Sequence, residues 1–278
     1  MSVDELENGK NSNQEGPAVL VQKRPDGICI LTMNRPHVAN ASTPEICMAL
    51  SAAINEANKD DATRVIIITG NGSAFAAGGD IFAMDTRTGM FEGSPNEIRN
   101  GYRKLIHSVQ LAVYYSDVPV LGEINGSAAG AGNDLVAICD IAIASEKAKF
   151  SEAFVSLGLI SGDGGSWLLP RVVGKTNAFL MAYTGEYFSA EEACKMGLVW
   201  KVVPHESVME ETLALAARII KNPNGAVRAT RRLIIEGGQS SFEAALDQCA
   251  SIQGGLHYTP EHREKLAGVI ARVKAHKK

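Results

Sequence analysis

Asn125-Gly126-Ser127-Ala128-Ala129-Gly130-Ala131-Gly132-Asn133-Asp134 is the stretch that decides the fold. It follows the apolar run Pro119-Val120-Leu121-Gly122-Glu123-Ile124 and opens a short helical pattern near Asp134. A second glycine-rich turn, Phe75-Ala76-Ala77-Gly78-Gly79-Asp80, comes after another apolar run, Arg64-Val65-Ile66-Ile67-Ile68-Thr69. Glycine supplies positive φ and lets backbones approach where a side chain would obstruct them. Two such turns can aim main-chain N–H groups from distant parts of the chain at one oxygen atom. The pattern points to an oxyanion hole, and hence to carbonyl or thioester chemistry.

The runs at 64–69, 119–124 and 138–144 are continuous and apolar, which marks strands buried on both faces of a parallel sheet. Between the first two runs lies a helix expected over about 97–115, and between the last two the short one near Asp134. Toward the N-terminus, Arg24-Pro25-Asp26-Gly27 separates two β-branched runs and predicts a hairpin. Thr43 before Pro44 predicts the start of a helix that reaches about Lys59. Beyond Lys175 strand signals shrink to 198–203. The capping box Ser189-Ala190-Glu191-Glu192 and the helical spacing over 206–221, 225–236, 241–253 and 260–274 then dominate. The fold class is α/β. Expected boundaries are a disordered tail over 1–16, a core over 17–200 and a helical C-terminal region over 201–278.

A formal net charge of −4 gives the chain no electrostatic footprint for nucleic acid. The five cysteines are scattered and contain no C-x-x-C pair, which argues against a disulfide framework or thiolate zinc site. Apolar runs shorter than ten residues exclude a membrane-spanning helix. The polar N-terminus carries no targeting pattern, so a cytoplasmic location is expected.

Other chemistries fail on particular residues. Gly130-Ala131-Gly132 opens a helix, but Leu135 occupies the third glycine position of a dinucleotide fingerprint, and no phosphate loop exists. Neither an H-E-x-x-H pair nor a G-x-S-x-G elbow is present, so no metal site and no Ser–His–Asp hydrolase is expected. The basic terminal helix, with Arg263, Lys265, Arg272 and Lys274, reads as a solvated helix end that complements its own dipole.

Five segments together resemble the crotonase superfamily of enoyl-CoA hydratases and isomerases: 31–36, 74–80, 125–130, 139–144 and 197–199. The resemblance runs from about Val19 to the C-terminus. It implies a spiral of ββα units with a helical C-terminal trimerisation region, assembled as a homotrimer or a dimer of trimers. It further implies an acyl-CoA substrate and no separate cofactor. By motif position the oxyanion donors are the N–H groups of Gly79 and Ala131. Ala77, Asp80 and Ile81 match the stretch along the CoA path, and Gly130 and Phe154 are further acyl-CoA contacts.

The acids depart from the pattern of two-glutamate hydratases. The first glutamate position is Asp134, and the second aligns with Phe154, which cannot transfer a proton. Asp163, in Ser161-Gly162-Asp163-Gly164-Gly165, is a substitute acid near a position that some relatives use, and is equally well explained as a helix N-cap. Asp134 and Asp163 are the expected catalytic residues. Glu152 is a weaker candidate, and Asp140 is expected to order the sheet.

Three functions follow. Hydration of an enoyl-CoA comes first, on family frequency. Isomerisation of an enoyl-CoA or dienoyl-CoA is the alternative that Phe154 favours, because one acid can shuttle a proton between two carbons. A catalytically weak acyl-CoA-binding oligomer is the third.

Overall fold

The computed structural model describes residues 16–276; the expected tail lies outside the described residues except for Gly16. Strands β1 (Val19–Lys23) and β2 (Ile28–Met33) form the expected antiparallel hairpin. Its turn is closed by the Asp26 carboxylate, which accepts the Ile28 N–H at 3.2 Å. Strands β3 (Val65–Gly70), β5 (Val120–Ile124), β7 (Ile141–Ser145) and β10 (Lys201–Val203) then extend β2 in parallel, in the order β1-β2-β3-β5-β7-β10.

Side chains alternate across this sheet as strand geometry requires. Ile66 and Ile68 enter one apolar core, whereas Val65 and Ile67 enter another that includes Val208, Leu215 and Ala216. Both faces are therefore buried, which is why these strands read as unbroken apolar runs. Four short strands, β4 (Ala74–Ala76), β6 (Ser127–Ala129), β8 (Lys149–Ser151) and β9 (Phe188–Ser189), make a second sheet in that order. Each long strand β3, β5 and β7 is followed by a short one and then a helix, a repeat of ββα units wound into a spiral.

Helix α1 (Pro44–Lys59) begins where expected, with Thr43 Oγ1 accepting the Ile46 N–H. Helix α2 covers Ile81–Thr86. The helix expected over 97–115 is two, α3 (Pro95–Lys104) and α4 (Ile106–Tyr114), broken at Leu105. There the Ser108 hydroxyl donates to the Leu105 carbonyl at 2.6 Å, and a hydroxyl that bonds the main chain this way bends a helix. The strand expected over 138–144 starts only at Ile141, because α5 (Ala131–Ile138) runs through Ile138.

Helices α6 (Gly165–Val172), α7 (Gly174–Thr184), α8 (Ala190–Met196) and α9 (Val208–Ile220) complete the body. Helices α10 (Asn224–Gly237), α11 (Phe242–Leu256) and α12 (Pro260–His276) form the helical C-terminal region. Among their residues only Arg231 is buried. Its guanidinium pairs with Asp140 at 2.7 Å and donates to the carbonyls of Val113, Tyr114 and Ser116. Asp140 also accepts the Val120 N–H at 2.8 Å, so it ties strand to helix as expected. No helix of the described residues is long and apolar enough to cross a membrane.

Candidate active site

The two glycine-rich turns meet back to back through their main chains. A Cβ on Gly132 would collide with the Ala76 carbonyl oxygen, and one on Gly78 would lie 2.6 Å from the Ala129 carbonyl. Gly78 also has φ +90°, which a side chain rarely adopts. The first turn is held from behind by Asn40, a fully buried amide that donates to the carbonyls of Asn71, Ala74 and Phe75 and accepts the Arg35 N–H. The second is held by the Gly130 N–H, which donates to Ser151 O at 2.9 Å.

Among the described residues the N–H groups of Gly79 and Ala131 donate to no protein acceptor. Ala131 is the first residue of α5, where unpartnered N–H groups and the helix dipole favour a negative oxygen. Ala77, Gly79, Ile81, Gly130, Ala131, Phe154 and Asp163 all line one cavity, so seven of the expected site residues are brought together. Two are not among its lining residues. Asp80 instead caps α2, its Oδ1 accepting the N–H groups of Phe82 and Ala83 at 3.1 and 3.0 Å. Asp134 is wholly buried beneath the 161–165 loop.

Asp163 does not cap a helix. Gly164 stands at the N-cap of α6 with no side-chain bond, and the Gly165 N–H goes to Asp134 Oδ2 and to Ser161 Oγ, at 3.2 and 2.8 Å. Asp163 is 4% exposed, and its Oδ1 has no hydrogen-bond partner in the protein. Its loop is fixed on both flanks: the Ser161 hydroxyl donates to Asp134 at 2.7 Å, and His107 Nε2 lies 2.8 Å from the Gly162 carbonyl. Burial first, then the nearby Asp134 charge, pushes the Asp163 carboxyl up to about 7.

Glu152, two residues before the position where a second glutamate is absent, joins this group. Its Oε1 accepts the Asn133 amide at 2.6 Å, and it is close enough to Asp134 for a hydrogen bond once one of the two is protonated. Burial raises Asp134 well above the carboxylate range, and the Glu152 charge adds to it. Glu152 is pushed to about 7, chiefly by burial and against the pull of its hydrogen bonds to Asn133 and Asp134. The two neighbouring carboxyls thus disfavour being charged together, while Asp134 Oδ2 accepts from Ser161 and Gly165.

Phe154 covers the turn, with its ring 3.4 Å from where a Gly130 Cβ would be. A phenyl ring thus lines the cavity where the resemblance led to the expectation of a second acid. The sequence did not single out Ser161, His107 or Tyr102, which hold or wall the loop that bears Asp163; a Ser two residues before an acid in a glycine-rich loop was the only signal. Among the described residues no group of three or more His, Cys, Asp and Glu is placed to hold a metal ion.

The family model described as enoyl-CoA hydratase/isomerase matches residues 23–275. A probable enoyl-CoA hydratase of Rhodobacter capsulatus is 34% identical over 253 residues, covering 90% of this chain and 94% of that protein. The 1,2-epoxyphenylacetyl-CoA isomerase of Escherichia coli is 31% identical, covering 88% and 93%. The crystal structure of an enoyl-CoA hydratase from Mycobacterium smegmatis superposes with a TM-score of 0.86 at 29% identity, over 92% of this chain and 97% of that one. Paired main-chain donors, a ββα spiral and these likenesses lead to one conclusion: the chain belongs to the enoyl-CoA hydratase/isomerase family, within the crotonase superfamily.

Proposed function

We propose that the protein acts on an acyl-CoA thioester. In this reading the Gly79 and Ala131 N–H groups hold the thioester oxygen as it becomes an enolate, and Asp163 moves the proton. The observation that carries it is that Asp163, with an unpartnered carboxylate oxygen, lines the same cavity as both donors. Preorganised donors of this kind are each worth about 10²–10³ in rate.

Double-bond isomerisation of an enoyl-CoA fits this arrangement best, because a single acid completes it. The Asp163 carboxylate takes a proton from C2 of a 3-enoyl thioester. The C–H electrons form a C1–C2 double bond as the carbonyl pair moves onto the thioester oxygen, giving a dienolate. As that oxyanion collapses, the double bond forms between C2 and C3 and the C3–C4 pair takes the proton back from Asp163 at C4, leaving the conjugated 2-enoyl thioester. A carboxyl poised near neutrality is suited to both half-steps. Asp134 serves as a positioning residue that fixes the loop. Hydration is the second reading, favoured by the relatives named as hydratases: there Asp163 takes a proton from water as its oxygen adds at C3, and returns that proton to C2 of the enolate.

Ultraviolet absorbance of the conjugated enoyl thioester separates the two. Isomerisation predicts absorbance gained from a 3-enoyl-CoA, and hydration predicts absorbance lost from crotonyl-CoA. No change with either substrate, with acyl-CoA binding retained, would leave the weak binding oligomer. We also propose that copies associate through the C-terminal helices, since Leu266, Val269, Ile270 and Val273 line an exposed apolar stripe on α12. Light scattering of the full chain reads the assembly directly, and a monomeric mass would refute it.

A further inference from the structure

The space around Asp163 does not end at the cavity of the two donors. The same carboxylate borders a second cavity of about 410 Å³, walled by Leu111, Tyr114, Tyr115, Ile138, Trp167 and Leu168. Gln110, on α4, borders this outer cavity and also the narrow space beside Ala131 and Leu135. Gln110 and Asp163 therefore both border the outer cavity, Asp163 also lining the cavity of the two donors and Gln110 also lining the space beside Ala131.

Gln110 has no structural employment that explains it. It is only 9% exposed, and its Oε1 has no hydrogen-bond partner in the protein. An unsatisfied amide oxygen is costly to bury, so such a group in a cavity wall marks a ligand donor. The wall beyond it is aromatic and braced. Tyr114 meets Trp167 edge-on at 6.0 Å and Tyr115 at 5.2 Å, Gln239 donates to the Tyr114 hydroxyl, and the Arg171 guanidinium lies 3.8 Å above the Trp167 ring. Aromatic edges and faces of this kind favour another ring. A cavity of about 150 Å³ is enough for benzene, so the outer cavity has room for a ring and its linker.

On the reading that Gly79 and Ala131 hold an acyl-CoA thioester, we propose that the acyl chain passes between Asp163 and Gln110 and carries a ring into the aromatic cavity, where Gln110 accepts a hydrogen bond from a hydroxyl on the ring. Because Gln110 borders the space beside Ala131 as well, the hydroxyl it meets is on the edge of the ring nearest the thioester. Asp163 selects nothing in this scheme. Gln110 is the specificity-determining residue.

The test uses saturated, unreactive thioesters so that binding is read without turnover: butanoyl-CoA, 3-phenylpropanoyl-CoA and 3-(2-hydroxyphenyl)propanoyl-CoA, titrated calorimetrically into the full chain. The ring is expected to tighten binding about tenfold over butanoyl-CoA, the area of one buried aromatic side being sufficient for that. The hydroxyl is expected to add about fivefold more, and Gln110→Leu and Gln110→Met to erase that second gain while keeping the first. A ring that binds no tighter than butanoyl, a hydroxyl without effect, or a hydroxyl gain that survives both substitutions overturns the proposal. Failure of all three thioesters to bind would instead overturn the acyl-CoA reading on which it rests.

Discussion

The carboxylate of Asp134 accepts the N–H of Gly165 at 3.2 Å, so a residue at the start of one helix caps the start of another 31 positions along the chain. The same oxygen takes the Ser161 hydroxyl, and the loop between the two carries Asp163 into the cavity. This division of labour, one acid holding and the other facing the substrate, yields the first expectation. An asparagine can reproduce the bonds Asp134 makes to the loop, accepting from Ser161 and Gly165, and its amide adds a donor beside Glu152. Asp134→Asn is therefore expected to keep kcat within about threefold and to leave the Tm unchanged, whereas Asp134→Leu lowers both, costing about 2–4 kcal/mol by stranding a buried N–H and Glu152. A hundredfold loss of kcat in Asp134→Asn at unaltered Tm would make Asp134 the proton-transfer group instead.

Asp163→Asn is expected to reduce kcat by about 10²–10⁴, the usual worth of a positioned acid–base group. Affinity for a saturated acyl-CoA should change little, because the donors at Gly79 and Ala131 are untouched. Calorimetric binding alongside steady-state rates distinguishes this from a collapsed site.

Removal of a C2 proton needs the carboxylate form of Asp163, whose pKa is raised to about 7. The rate on a 3-enoyl-CoA should rise with pH through about 7 and level above it. A profile with its inflection at the ordinary aspartate position near 4 would show that the acting carboxyl is not this buried one.

Stability should run the opposite way over the same window. The unfolded chain loses the Asp163 proton near 3.9 and the folded chain near 7, so between these values the native state holds more protons. That contribution is complete below about 4 and is lost as pH rises through 7; Glu152, also near 7, adds to it with the same sign. Asp163→Asn should accordingly raise the stability at pH 8, by on the order of 2 kcal/mol after discounting for relaxation and with a higher Tm, and change it little at pH 4.5. Calorimetric scans at the two pH values decide the matter.

Substitutions at the two turns should differ sharply. Gly132→Ala drives a methyl into the Ala76 carbonyl, backbone against backbone, and is expected to cost about 2–4 kcal/mol and most of the activity. Gly79→Ala meets only the terminal methyl of Met84, which can swing aside, and its N–H stays in place. Its activity should remain within about tenfold. Urea unfolding and initial rates on the same two variants provide the check.

Most of the frame was legible from sequence because it rests on local rules. The Asp26-Gly27 hairpin, the Thr43-Pro44 helix start and the doubly buried runs at β3 and β5 each declare themselves within a few residues. The second sheet did not, since its strands are three residues or fewer and rich in alanine and serine, which carry no β signal. The two close-packed turns were legible because glycine spacing encodes main-chain geometry, whereas the choice of Gly79 and Ala131 within them came from the family resemblance. The orientations of Asp134 and Asp163 were not, because each depends on a partner distant in sequence: Gly165 and Ser161 for one, the His107–Gly162 contact for the other. Gln110 carried no motif at all, and only its place between two cavities gives it meaning.

The back-to-back turns at Gly78 and Gly132 have one further consequence. They present the two unpartnered donors, the N–H groups of Gly79 and Ala131, as backbone alone, so that half of the site depends on no side chain. The carboxylates, by contrast, sit on a loop and a helix whose side chains are held by partners of their own. In a site built this way the acid and the donors are separable, because the Asp163 loop and the two turns are held by different hydrogen bonds.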